Sequence, residues 1–104
     1  VFYFLIAVRR AMRQAGWFKT MREPALESFL DLVALGTIAD SVPLVMENRV
    51  FTLKGLEVLS AAARPGIRAL KAVAGLKTSI VRAGQVGFIL APRLNAAGRL
   101  ESAK

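Results

Sequence analysis

Apolar residues recur at the period of an α-helix along this chain, and that periodicity most constrains its fold. In the opening segment they occupy positions 1, 4, 5, 8, 11, 12 and 15, while arginines occupy the other side. This pattern predicts an amphipathic helix. Gly16 then provides a residue suited to the left-handed conformation that ends many helices. The periodicity predicts a mostly α structure that begins with this helix.

The second predicted helix is apolar on nearly every side, which is typical of a buried helix. It is predicted over 25–35. Pro24 is well placed at its start, and Gly36 is the break that ends it. Residues 37–44 are expected to form a turn or an extended segment.

Three more helices are expected downstream, each followed by a glycine or proline signal. They are predicted over 47–63, 67–74 and 80–91. The signals that end them are Arg-Pro-Gly at 64–66, Gly75 and Pro92. Thr78 or Ser79 can cap the start of the last helix. Because two glycines interrupt that helix, a buried strand at 86–90 remains an alternative.

Composition excludes several kinds of chemistry. The 104 residues are 55% hydrophobic, enough for one small domain or a piece of a larger one. There are no cysteines and no histidines, so disulfides, thiolate zinc sites and histidine-based catalysis are excluded from this chain. The net charge of +8 favours a polyanionic partner, nucleic acid first and an anionic membrane second.

No membrane span or targeting signal is visible in the sequence, so we expect a cytoplasmic protein. The opening apolar run is far shorter than the roughly 20 residues that span a bilayer. Arg9 and Arg10 follow this run, whereas a signal peptide has its charges first. Because the chain lacks an initiator Met and ends without a helix-terminating signal, we expect both ends to be cuts inside a longer protein.

Asp40 is the first candidate functional residue. It follows the apolar second helix and precedes the apolar segment 42–44. A carboxylate in such surroundings is destabilised by desolvation unless it meets a cation, a metal or backbone donors. The alternative is an N-cap or turn aspartate held by its own local amides.

A second candidate group follows Pro92. Arg93 and Arg99 lie on either side of Asn95 and two alanines. Small residues permit close approach of the backbone, and arginine binds phosphate through two parallel hydrogen bonds. The alternative is the start of a helix with solvated arginines. Arg49 is a weaker candidate, since it can equally be a surface residue or an ion-pair partner of Glu47 or Asp31.

Four segments together resemble the RecJ-type single-stranded-DNA exonucleases of the DHH phosphoesterase superfamily. The first contains Asp-Leu-Val-Ala-Leu-Gly-Thr-Ile-Ala-Asp and ends in Ser-Val-Pro-Leu. The last contains Ala-Pro-Arg-Leu-Asn-Ala-Ala-Gly-Arg-Leu. The segments are 31–44, 47–50, 64–70 and 91–100, in the order and at the spacing of that family. The resemblance extends over essentially the whole chain.

The resemblance implies an enzyme of DNA repair and recombination that degrades single-stranded DNA from its 5′ end. Family members hold Mn²⁺ or Mg²⁺ with carboxylates and a histidine from several motifs of an α/β domain. Asp40 matches the last of these acidic motifs, so the resemblance implies a catalytic metal ligand there. It also implies that Arg93, Asn95 and Arg99 contact DNA phosphates.

The chain also departs from the family pattern. The Asp-x-Asp, further Asp and Asp-His-His motifs are absent, as are the DHH-associated and OB-fold domains. Ser41 stands where family members more often have an apolar residue. We therefore expect an internal fragment, with 1–45 from the end of the DHH catalytic domain and 46–104 as a helical segment leading to the interdomain connection. Alone it should be inactive, hold no metal tightly and self-associate through its apolar surface.

Two other interpretations remain open at the level of the sequence. The chain could be a basic helical module that binds nucleic acid without catalysis, with strong salt dependence and no metal requirement. It could also be a helical interaction domain whose first helix docks on a partner.

Overall fold

The computed structural model describes residues 1–77 and 79–100, and these residues form helices and no strand. The α-helices are α1 (Phe2–Gln14), α2 (Leu30–Ala39), α3 (Met46–Ala61), α4 (Pro65–Val73), α5 (Ala83–Gln85) and α6 (Ala91–Leu100). The other two kinds of segment are the 3₁₀ turns Trp17–Lys19 and Leu26–Phe29 and the π segment Val86–Leu90. The expectation of a mostly α chain is confirmed for the described residues.

Three of the predicted helices form close to their expected positions. Gly16 follows α1 with φ of 84°, and Gly75 follows α4 with φ of 73°, the left-handed conformation predicted for both. The predicted third helix corresponds to α3. The fourth begins two residues earlier than predicted, because Pro65 is the first residue of α4 and not part of the break before it.

The predicted boundaries of the second helix are wrong. Pro24 lies in an irregular segment before the 3₁₀ turn, and α2 runs through Gly36. Leu35 and Ile38, on either side of this glycine, both pack against the hydrophobic core. Their burial outweighs the roughly 1 kcal/mol that a mid-helix glycine costs relative to alanine.

The start of the last helix also differs from the prediction. Ser79 lies in a bend and does not cap a helix, and Thr78 lies outside the described residues. The helix begins at α5, where the Arg82 N–H donates to Gln85 Oε1 at 2.9 Å. A side chain three residues into the helix therefore satisfies a backbone donor at its start.

Pro92 does not end this helix, and the alternative of a strand at 86–90 is wrong. The chain passes from the π segment directly into α6. Proline lacks an N–H and its ring clashes with the preceding turn of a regular α-helix. In the π segment the Ala91 N–H instead bonds to the Val86 carbonyl, five residues back. This wider turn accommodates the proline without breaking the helix.

α2 and α3 cross at very short range. A Cβ atom at Gly55 of α3 would overlap the Leu30 carbonyl oxygen of α2 and lie 2.7 Å from Ala34 Cβ. Ala34 is fully buried at this crossing. The adjoining core cluster draws residues from α3, α4, the loop before α5 and the π segment. Its buried members are Leu59, Ile67, Val81, Val86 and Leu90.

A partly buried ion pair joins α2 to the connection between α3 and α4. Asp31 is only 3% exposed, and its Oδ2 accepts a 2.9 Å hydrogen bond from Arg64 Nε. The Arg64 guanidinium also donates to Asp31 Oδ1 at 3.3 Å and to the Ser28 carbonyl at 3.0 Å. Its hydrogen bond to Asp31 raises the pKa of Arg64 above its ordinary value. The suggested pairing of Asp31 with Arg49 is therefore wrong.

α1 packs loosely on this unit. None of its residues is buried, and its aromatic contacts are edge-to-face, from Phe2 and Tyr3 to Phe51, with ring centroids 5.1 and 5.5 Å apart. Arg13 forms an ion pair with Glu23 of the following loop. No helix in the described part of the chain combines the length and apolar character needed to cross a bilayer.

Substitution of Gly55 tests the close helix crossing. Gly55→Ala should destabilise the chain by about 1–3 kcal/mol, since the new methyl group overlaps backbone that cannot move independently. Gly36→Ala is the matched control, because a Cβ there meets nothing within 4 Å. It should be neutral or stabilise by up to about 1 kcal/mol. Urea unfolding of both variants measures the difference, and equal effects would contradict the tight crossing.

Candidate metal and phosphate site

A well-defined turn terminates α2 and holds Asp40. The Ser41 N–H donates to the Ile38 carbonyl at 3.1 Å, and the Val42 N–H donates to the Thr37 carbonyl at 3.0 Å. Ser41 is left-handed with φ of 54°. These are the two hydrogen bonds of a Schellman motif, which satisfies the last carbonyls of a helix. Both hydrogen bonds join a residue after Asp40 to a residue before it, so they fix the backbone at Asp40.

The Asp40 side chain is exposed at this turn, so the desolvation expected from its apolar neighbours does not occur. Asp40 is the C-cap of α2 and lies in a turn, so it is a turn aspartate and not an N-cap. No hydrogen bond or ion pair to its carboxylate is found among residues 1–77 and 79–100. The carbonyls at a helix C-terminus bear partial negative charge. The carboxylate and this helix end together favour a bound cation.

A groove of about 540 Å³ opens beside Asp40 between α1, α2 and α3. Its walls are mainly apolar, with Leu32 and Phe51 as examples. Thr37 and Asn48 are polar members of its lining. Asn48 is held in place because its Nδ2 donates to the Pro43 carbonyl at 3.2 Å. Asp40 therefore lies at the polar edge of an otherwise apolar groove.

Asp40 suits a divalent cation as a single ligand. Mg²⁺ and Mn²⁺ prefer carboxylate oxygens, and this carboxylate is accessible and has no competing cationic partner in the described structure. In the described ranges, however, no group of three His, Cys, Asp or Glu side chains comes together. These residues thus offer one oxygen ligand and not a complete metal site.

The three residues predicted to contact phosphate do not share one surface of α6. Asn95 and Arg99 are four residues apart and line one groove of about 430 Å³ together with Ala96. Arg93 instead lines a neighbouring groove with Phe88. At about 100° per residue, Arg93 points roughly 120° away from Arg99. The structure therefore brings Asn95 and Arg99 together and separates Arg93 from them.

Arg49 lies away from both of these places. It is exposed on α3 and lines a separate groove with Thr52, Leu53 and Ala83. The Thr52 hydroxyl is buried and has no hydrogen-bond partner in the described residues. The structure does not bring Arg49 to Asp40.

Sequence reasoning missed the contact between Asp31 and Arg64. The two residues are 33 positions apart, so helical periodicity gives no signal for it. The Arg-Pro-Gly string was interpreted as a helix break and as part of the family resemblance, with no partner assigned to Arg64. An aspartate in an otherwise apolar helix was the available signal, because a buried carboxylate requires a cationic partner.

The chain is similar along nearly all its length to several curated proteins named single-stranded-DNA-specific exonuclease RecJ. The protein from Dickeya dadantii (strain 3937) is 48% identical over 103 residues, which cover 96% of this chain and 18% of that protein. The one from Escherichia coli (strain K12) has the same identity and coverage. The one from Thermus thermophilus is 42% identical over 81 residues, 78% of this chain and 12% of that protein.

These relatives define a class of exonucleases specific for single-stranded DNA. The chain belongs, as a segment, to the RecJ family within that class, and it spans less than a fifth of the length of these relatives. No family model matches the chain. No solved structure matches it either.

The left-handed Ser41 gives a stability test of the turn that holds Asp40. Ser41→Gly should stabilise the chain by up to about 1 kcal/mol, because relief of the left-handed strain slightly exceeds the added backbone entropy of glycine. Ser41→Ala keeps a Cβ at this φ and should give no gain. Thermal unfolding compares the two variants. A glycine variant that is no more stable than the alanine variant would contradict the strained turn.

Proposed function

We propose that this chain forms part of a metal-dependent exonuclease that hydrolyses single-stranded DNA from its 5′ end. The similarity to RecJ proteins over 96% of the chain supports this proposal. The single structural observation behind it is the accessible Asp40 carboxylate, fixed by the turn that ends α2.

Asp40 would supply one oxygen ligand to Mn²⁺ or Mg²⁺ in this proposal. When bound, such an ion supplies charge stabilisation at the phosphodiester. The remaining ligands would come from parts of a longer RecJ-like protein with the DHH motifs that are absent here. The 104-residue chain would accordingly be inactive by itself and would not hold the metal tightly.

α6 would bind the DNA backbone. Asn95 and Arg99 share one groove, where an amide and a guanidinium can donate together to phosphate oxygens. Arg93 would contact a different phosphate, because it faces another groove. The net charge of +8 supports attraction of the strand. The proposed cellular setting is cytoplasmic DNA repair and recombination.

Replacement of Asp40 tests the metal proposal. In the full-length protein that contains this chain, Asp40→Asn should lower Mn²⁺-dependent digestion of 5′-phosphorylated single-stranded DNA by at least about 100-fold. Removal of a metal ligand takes away several kcal/mol of transition-state stabilisation.

Glu57→Gln is the matched control for that experiment, because Glu57 is an exposed carboxylate paired with Lys54 on α3. It should retain full activity. An Asp40→Asn protein that digests DNA as fast as the control would exclude the ligand role.

Salt dependence tests the grooves on α6. Arg99→Ala and Arg93→Ala should each reduce the slope of log affinity against log salt by about 0.7 for each phosphate of single-stranded DNA that the arginine neutralises. Asn95→Ala combined with Arg99→Ala should weaken binding by less than the sum of the two single effects, since both bind one phosphate. Arg93→Ala should be additive with either. Fluorescence anisotropy in catalytically inactive protein measures these affinities, and unchanged slopes would contradict phosphate binding.

A basic nucleic-acid-binding module without catalysis is the second candidate function. The net charge of +8 and the groove lined by Asn95 and Arg99 favour it. It differs from the first candidate in one measurable respect. A full-length protein that binds single-stranded DNA but never shortens it with any divalent ion would support the binding module.

A further inference from the structure

Hydrophobic burial does not specify which face of α2 points inward. The ten residues of this helix are apolar on nearly every side, and Asp31 is its one charged residue. An amphipathic helix has one favoured rotation, whereas a uniformly apolar helix can bury several faces with similar gain. The close crossing of Gly55 with Leu30 and Ala34 restrains the rotation of α2 sterically, and a polar contact at Asp31 adds a second restraint.

The ion pair between Asp31 and Arg64 is an electrostatic restraint on the rotation of α2. Arg64 Nε and a terminal nitrogen donate to the two oxygens of Asp31, and the same terminal nitrogen binds the Ser28 carbonyl. The guanidinium also lies 5.3 Å from the centre of the Phe29 ring. A buried carboxylate without a cationic partner is strongly disfavoured. Rotations of α2 that separate Asp31 from Arg64 are therefore penalised.

The rotation of α2 determines where Asp40 lies. Asp40 is the C-cap of the same helix, and the turn after it is fixed by two backbone hydrogen bonds. On a helix whose Cα atoms lie about 2.3 Å from the axis, a rotation of about 20° moves each Cα by about 0.8 Å. Metal–ligand distances tolerate only about 0.2 Å. A modest rotation would therefore remove an Asp40 oxygen from a metal position.

We propose that the Asp31–Arg64 ion pair is a positioning device that sets the rotation of α2 and thereby places the Asp40 carboxylate for metal binding. Arg64 acts from the opposite end of the helix and does not itself touch the metal. The inference rests on the proposed function, because it requires that Asp40 is a metal ligand.

The affinity of the full-length protein for Mn²⁺, without DNA, tests this proposal. Titration with Mn²⁺ alone, followed by the electron paramagnetic resonance signal of the free ion, gives the dissociation constant independently of activity. Arg64→Met should weaken Mn²⁺ binding by about tenfold, the lower end of the effect of residues that orient metal ligands. Arg64→Lys should weaken it less, since lysine keeps the charge but cannot make the forked contact.

Two control variants separate positioning from general destabilisation. Ile67→Ala removes packing from the core cluster but leaves the ion pair intact. It should lower the melting temperature while leaving Mn²⁺ affinity within about twofold of the unmodified protein. Arg68→Met removes a neighbouring arginine of α4 whose side chain donates to the Ala63 carbonyl and does not contact Asp31. It should also leave Mn²⁺ affinity unchanged.

The outcomes distinguish failure of the positioning role from failure of the metal site. If Asp40→Asn weakens Mn²⁺ binding but Arg64→Met does not, or does so no more than Ile67→Ala, the positioning role is overturned and the metal site stands. If Asp40→Asn leaves Mn²⁺ binding unchanged, the metal-ligand assignment fails and the positioning role fails with it. If Arg64→Met does not fold, Arg64→Lys takes its place. Its Mn²⁺ affinity is then compared with that of Ile67→Ala at an equal decrease in melting temperature, and this comparison decides whether Arg64 has a positioning role.

Discussion

The absence of a side chain at Gly55 determines how closely α2 and α3 approach, and the rest of the packing depends on that distance. The α3 backbone at this glycine lies directly against the Leu30 carbonyl and the Ala34 methyl group. The same approach brings the end of α3 near the start of α2, so that Arg64 reaches Asp31. α4 and the π segment then contribute their buried residues to a core built on this helix pair. A larger residue at Gly55 would therefore disturb packing and electrostatics together.

α2 has two requirements that conflict. Its inner face must pack closely against α3, where Leu30 and Ala34 are buried, whereas its C-terminal end presents an exposed carboxylate at Asp40. The Schellman turn resolves this conflict, because it ends the helix within two residues and turns Val42 back towards it. The buried Asp31 pairs with Arg64, and this contact disfavours other rotations of the apolar helix. One short helix therefore combines core packing, a partly buried ion pair and the candidate metal ligand.

Local signals in the sequence predicted those parts of the fold that local physics controls. Gly16 and Gly75 end helices as expected, because a left-handed residue is needed there whatever the rest of the chain does. Gly36 and Pro92 were misinterpreted, because burial of neighbouring residues and a π turn outweigh their helix-breaking tendency. Asp40 was selected as a candidate from its pattern, but its exposure could not be predicted, since burial depends on contacts distant in sequence. The partner of Asp31 was unpredictable for the same reason.

The candidate site has two parts, Asp40 at the end of α2 and the groove lined by Asn95 and Arg99 on α6. Packing against α2 connects them. Ile38, in the last turn before Asp40, lies next to Gly87, where a Cβ atom would be 3.5 Å from Ile38 Cγ2. Gly87 belongs to the π segment that leads directly into α6, with its groove at Asn95 and Arg99. A phosphodiester must be held by its backbone contacts while its reacting phosphate meets the metal, and an error of about 1 Å in such an arrangement can lower the rate by about 100-fold. In the proposed function, direct packing of the π segment on α2 would therefore keep backbone binding and metal binding in register.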